Sequence, residues 1–314
     1  MLSKLRIKNQ LVREFLAELI STFILITFGD GCVAQVVLSR GQIGSSLSIH
    51  FGWAFAVTVG VYFSAGITGG HMNPAVTLAM FSIKKLTISQ TVVYIAGQFV
   101  GAFLGAAAVF FIYIDAINNL DGGSRQILGV NGTAGIFATY PAPWLSFMGG
   151  MWDQIFSTCL LLMCICALTD QRNGKPPAGT EPVLVGLSVF LIGVCFNLNC
   201  GYAINPARDL SPRIFTMIAG WGTGTFVPYG MQYWLIPVIG PILGGLLGVW
   251  IYELAISLHH PPLVTSKAKL DAVVNSSALP AFQPFEVIAP SHPNEAVAAK
   301  EDVAGNEDVA ATLL

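Results

Sequence analysis

The sequence predicts an all-α membrane protein in which six spanning helices and two shorter half-helices form an inverted repeat. Three observations carry that reading. Only 10% of the 314 residues are charged, 54% are hydrophobic, and the mean hydropathy is +0.67. Six apolar stretches are long enough to cross a bilayer, and an Asn-Pro-Ala triplet occurs twice, 132 residues apart. A soluble chain carries roughly 25% charge, so this one has too little to cover a water-facing surface. Its net charge of −2 offers no basic face, and nucleic acid is not an expected partner.

A spanning helix needs about 20 mostly apolar residues. The stretches are 12–37, 47–67, 89–114, 147–169, 183–200 and 232–258. The first is too long for a cleaved signal and ends in no clean small-residue site. Segments 74–82 and 206–218 are apolar but long enough only for half a span. Lys4, Arg6, Lys8 and Arg13 precede the first span, Lys84 and Lys85 follow the second, and Arg172 and Lys175 follow the fourth. Lys267, Lys269 and Lys300 lie in the tail, whereas the opposite side holds Arg40 and Arg125. The positive-inside rule then puts both termini in the cytoplasm, which requires an even number of crossings.

The organisation follows: a cytoplasmic N-terminus (1–10), a membrane domain (11–258, with repeats 11–114 and 147–258), and a Pro-rich, acidic tail (259–314) expected to be disordered. The sequon Asn131-Gly-Thr133 falls in an outer loop and is a candidate for glycosylation. A second, Asn275-Ser-Ser277, lies on the cytoplasmic side and is expected to stay unused. The final Thr312-Leu313-Leu314 resembles a PDZ ligand. Cys32, Cys159, Cys164, Cys166, Cys195 and Cys200 sit in or beside apolar segments and read as packing residues, with neither disulfide framework nor metal site.

Each repeat holds three spans and one half-span. Three is odd, so the second repeat enters the membrane from the opposite face and the half-spans meet near the midplane. Asn caps a helix and Pro suits its first position, so Asn73-Pro74-Ala75 and Asn205-Pro206-Ala207 each open a half-helix. Two positive helix ends facing one midplane repel cations. The asparagine amides stay able to donate to a passing oxygen. The backbone before each cap, through Gly69, Gly70, His71 and Met72 and through Gly201, Tyr202 and Ala203, must be irregular. At membrane depth such backbone is tolerated only where it lines a cavity or is buried in protein.

Paired Asn-Pro-Ala motifs in this topology resemble the major intrinsic proteins, or aquaporins. Asn205-Pro-Ala-Arg208-Asp209 is similar to the glycerol-conducting branch, with Asp209 as its marker. The stretches 131–141 and 219–222 resemble vertebrate members. The resemblance covers about 11–258. It implies an aquaporin-like fold, a passive channel for glycerol, water and small neutral solutes such as urea, a homotetramer, a plasma-membrane location and no cofactor. It also implies a four-residue selectivity filter of Trp53, Gly193, Tyr202 and Arg208. Arg208 offers fixed donors, Trp53 and Tyr202 offer apolar faces, and Gly193 leaves room where a water-only pore carries histidine. Trp53 departs from the phenylalanine of vertebrate members towards the bacterial glycerol facilitator. Glu18, and Gln154 at the matching place in repeat two, are expected to tie down the re-entrant loops. His71 reads either as a wall residue with its ring bonded to backbone or as a pH-sensitive gate. A water-only channel, a coupled transporter and an intramembrane enzyme fit less well. Few intramembrane carboxylates stand ready to couple ions, and no nucleophile–base pair is evident.

Overall fold

A computed structural model describes residues 6–261; the expectations for the tail, including Asn275 and the last three residues, lie outside them. Eight α-helices occur among the described residues: α1 (Gln10–Leu38), α2 (Ser46–Thr68), α3 (Pro74–Ser82), α4 (Ile88–Asp121), α5 (Phe147–Thr169), α6 (Glu181–Cys200), α7 (Pro206–Thr216) and α8 (Ile236–Ala255). Six of them, α8 together with its flanking turns, are long and apolar enough to cross a membrane. α3 and α7 are the two half-helices.

Helix ends account for most differences from the sequence expectation. α4 runs to Asp121 rather than 114, because its last turns carry Asn118, Asn119 and Asp121 beyond the apolar run and stop only at Gly122, φ 68°. α7 ends at Thr216 and widens into a looser turn over Met217–Trp221, closed by Gly220 at φ 115°. α8 begins at Ile236 after a turn at Tyr233–Leu235.

Polar side chains are few on the outward faces, and large apolar groups such as Phe55, Phe63, Phe111 and Trp152 stand exposed, as lipid contact requires. Inside, small residues bring helices together. A Cβ at Gly97 or Gly101 of α4 would run into the α1 carbonyls of Phe15 or Leu19. One at Gly244 or Gly248 of α8 would meet the α5 carbonyls of Ile155 or Cys159. Without side chains there, the backbones close to direct contact, the packing mode of helices in lipid. The matching pairs α1–α4 and α5–α8 thus serve equivalent roles in the two repeats.

The two half-helices start alike. Asn73 has φ −155° and ψ 117°, and Asn205 has φ −153° and ψ 108°. Their side-chain oxygens accept from Ala75 N at 2.9 Å and from Ala207 N at 3.0 Å. This is N-capping followed by Pro at N1, executed twice with one geometry.

Candidate functional site

The two caps meet and are bonded to each other's loop. Asn73 Nδ2 donates to Ile204 O, and Asn205 Nδ2 donates to Met72 O, both at 2.8 Å. The sequence expects both amides to stay able to donate to a passing oxygen. One N–H of each is committed across the repeat boundary, and one N–H of each remains. Met72 and Ile204 reach those positions with φ 49° and 44°, and Tyr202 with φ 35°. A left-handed backbone at bulky residues is costly, and the surrounding bonds hold it in place.

Those bonds come from the two buried groups at equivalent depth. Glu18 Oε1 accepts from His71 N at 3.1 Å, and its Oε2 accepts from Met72 N at 2.7 Å and from Gln98 Nε2 at 2.8 Å. Gln154 Oε1 accepts from Ile204 N at 2.8 Å. Glu18 thus holds two loop amides where Gln154 holds one. The His71 ring differs from expectation: Nδ1 pairs with the Thr77 hydroxyl at 3.1 Å rather than with backbone.

On the side where α1 begins and α8 ends, a cavity of about 370 Å³ opens towards Lys85 and Glu181. Gly69, Gly70, His71, Met72 and Asn73 form one wall, and Leu161, Val185 and Val189 belong to the apolar remainder. On the opposite face a smaller vestibule of about 270 Å³ is lined by Trp53, Gly201, Tyr202, Arg208 and Asn197. Ala203 is buried and lines neither.

The structure brings Trp53, Tyr202 and Arg208 to that vestibule, and Gly193 against Tyr202. Arg208 Nη1 donates to Phe137 O at 2.9 Å, and its guanidinium carbon lies 4.1 Å from the Trp53 ring centroid. That is cation–π geometry, so the ring expected to serve solute carbons also supports the arginine. A Cβ at Gly193 would fall 2.9 Å from both Tyr202 Cζ and His50 Nδ1. The room at Gly193 is therefore taken by this tyrosine and by a histidine of α2.

Asp209, expected as a branch marker, is a buried structural hub. Its Oδ2 accepts from Thr139 N at 2.8 Å and Thr139 Oγ1 at 2.6 Å. Its Oδ1 accepts from Arg213 Nε at 2.9 Å and Nη2 at 2.7 Å. Arg213 also donates to Thr225 O and Thr139 O, both at 2.6 Å. The hub pins the loop that carries Phe137, whose carbonyl fixes Arg208. Sequence reasoning missed Arg213, Gln98, Phe137 and Asp30. Asp30 is fully buried on α1, 3.7 Å from Arg208 Nη1, and neither oxygen has a hydrogen-bond donor. A carboxylate inside an apolar stretch was the available signal. Asn131 is half-buried on the opposite face, with Oδ1 accepting from Arg40 at 3.0 Å.

The fold and site define a class: a polytopic membrane channel with two half-helices meeting inside an inverted repeat. The model of the major intrinsic protein family matches residues 5–252, and the chain belongs to that family. It is 47% identical to aquaporin-9 of Homo sapiens over 82% of this chain and 87% of that one. It is 50% identical to aquaporin-10 of Milnesium tardigradum over 82% of this chain and 66% of that one. The solved aquaglyceroporin of Plasmodium falciparum superposes with a TM-score of 0.71 at 30% identity, over 79% of this chain and 98% of its own.

Proposed function

We propose that this chain is a passive channel for glycerol and water, admitting other small neutral solutes such as urea, and that Trp53, Gly193, Tyr202 and Arg208 make the selection. One observation carries the reading: the narrow vestibule sets the donors of Arg208 beside the rings of Trp53 and Tyr202. A polyol has a hydroxyl edge and a CH edge, so a slot with one polar corner suits it. Arg208 has donors and no acceptor, so it serves hydroxyl oxygens but repels cations. The N-termini of α3 and α7 add about half a positive charge each at the meeting point, which excludes ions and hydronium in the manner of half-helix dipoles. The carbonyls of Gly69, Gly70, His71 and Met72, with those of Gly201 and Ala203, are read as the acceptor ladder.

The Lys and Arg distribution supports cytoplasmic termini, with the Arg208 vestibule outside, and family membership supports a plasma-membrane location. Family membership supports a homotetramer with one pore per chain. The free Nδ2 of Asn131 on the outer face is the candidate glycan site, checked by a mobility shift on enzymatic deglycosylation. His71 stands as the candidate gate of the inner cavity, and a His71→Ala variant with an unchanged response to internal pH removes it from that role.

Stopped-flow light scattering on proteoliposomes tests the channel. Fast glycerol entry with low activation energy is expected, and should be lost in Arg208→Ala or when Gly193 is replaced by a bulkier residue. Fast water flux with no glycerol flux would mean that the slot is closed to polyols.

A further inference from the structure

His50 lies on α2, one turn before Trp53, and is buried. Its Nδ1 pairs with Tyr202 Oη at 2.9 Å, and its Nε2 pairs with Ser46 Oγ at 3.0 Å. The ring centroids of His50 and Tyr202 are 5.3 Å apart. Atoms of the same two rings lie 2.9 Å from where a Cβ at Gly193 would be. An imidazole thus reaches the level of the constriction from α2, beside a position on α6 that holds no side chain.

We propose that His50 is a specificity-determining residue of the channel, acting as a positioning residue through Tyr202. When neutral it occupies the Tyr202 hydroxyl and keeps it off the solute. When protonated it releases that hydroxyl as a donor to the pore. The proposal rests on the filter reading given above.

Proton bookkeeping gives the mechanism. A neutral imidazole has one N–H and one bare nitrogen, so one of its two hydroxyl partners donates and the other accepts. A phenol is a stronger donor than an alkyl hydroxyl, which assigns Tyr202 O–H to Nδ1 and Nε2–H to Ser46. A cationic imidazole carries two N–H groups, so both partners must accept. Tyr202 Oη then receives a bond from Nδ1–H, and its own proton turns away to the lumen. Apart from these partners, the ionisable groups around the pair are Arg208 on α7 and, on α1, Cys32 and Asp30, the last behind Arg208. Protonation thus adds one donor and one positive charge beside Arg208. A site in a conduction path must bind weakly enough to release. The added donor retains a three-hydroxyl solute more than it retains water.

The test uses cells expressing the full chain, with swelling followed under glycerol and under sucrose gradients while external pH falls from about 7.5 to 4.5, through and below the ordinary imidazole range. The ratio of glycerol to water permeability is expected to drop about two-fold or more. The step should vanish in His50→Phe and in Tyr202→Phe. If His50→Phe yields no water flux, Tyr202→Phe decides. A wild-type ratio flat with external pH overturns the proposal, as does a step that survives in Tyr202→Phe. Absence of glycerol flux at every pH would instead overturn the channel reading on which it rests.

Discussion

At the scale of single residues, buried polar groups decide how much of the site holds together. Glu18 is the strongest case, since three donors converge on one carboxylate. Replacing it by alanine strands the amides of His71 and Met72 and one N–H of Gln98, whose other N–H stays on the Thr77 hydroxyl. Each unsatisfied buried group costs about 1–3 kcal/mol, so Glu18→Ala should lose about 3 kcal/mol or more and most of its water permeability. Glu18→Gln keeps one acceptor oxygen and should fall between. Thermal unfolding in detergent, beside permeability, measures both, and equal melting of Glu18→Ala and wild type would discard this account. Arg213 invites a parallel test. Asp209→Ala removes the partner of a fully buried guanidinium, a loss of about 3–5 kcal/mol, and loosens the loop bearing Phe137. Glu18 and Gln154 were legible because the repeat marks them out. Phe137 was not, and Asp30 showed only as a carboxylate in an apolar stretch, since what matters about both is proximity to Arg208 across long stretches of chain. His50 was passed over for the same reason: its partner Tyr202 is 152 residues away.

At the scale of elements, the apolar runs and Asn-Pro pairs were enough to locate the eight α-helices of the described residues, because lipid imposes length and proline imposes a start. Helix ends were harder to read. α4 continues past its apolar run since nothing breaks a helix before Gly122, and the turn after α7 depends on Gly220 and on Trp221 reaching Thr133. Glycine spacing did signal close packing, and the contacts make it testable. Gly101→Ala and Gly244→Ala place a methyl against a neighbouring backbone carbonyl and should each cost about 1–3 kcal/mol. Gly31→Ala meets nothing within 4 Å and should be neutral or slightly stabilising through helix propensity. Melting temperatures of the three variants in one detergent compare them directly, and equal losses at all three positions would contradict the packing argument. The connection after α5 carries a separate expectation. Asp170 is held at about 2 by hydrogen bonds and charge from Arg172, with the Tyr252 hydroxyl adding a bond. A depressed carboxylate contributes its stability above its ordinary value of 3.8 and loses it as pH falls through about 2. Proteolysis of residues 170–180 should therefore be flat from pH 7 to pH 4. In Arg172→Ala the depression and its stabilisation are both lost, so cleavage should be faster than in the wild type across that whole range and equally flat.

At the scale of the whole molecule, the inverted repeat closes on two reciprocal bonds, Asn73 to Ile204 and Asn205 to Met72. The odd span count made the inversion readable from sequence, but these crossed bonds were not, since a cap looks the same whether or not its amide reaches another loop. The crossing has an energetic consequence. Each asparagine has a local task, capping its own half-helix, worth about 1 kcal/mol. Each also has a shared task, since both amides fasten one junction. Caps at separate helices are independent and should add. Junction bonds should not, because once one loop is released the other bond restrains less. Asn73→Ala and Asn205→Ala should each lower stability by about 2 kcal/mol, while the double variant falls short of the sum by about 0.5 kcal/mol or more. The same variants should conduct water more slowly, since the second N–H of each amide is aimed by the first. A double-mutant cycle on thermal unfolding, repeated on water permeability, reads both quantities from four proteins. Strict additivity in unfolding would mean that the halves meet without fastening each other, and the fixed aim of the two remaining donors would then need another cause.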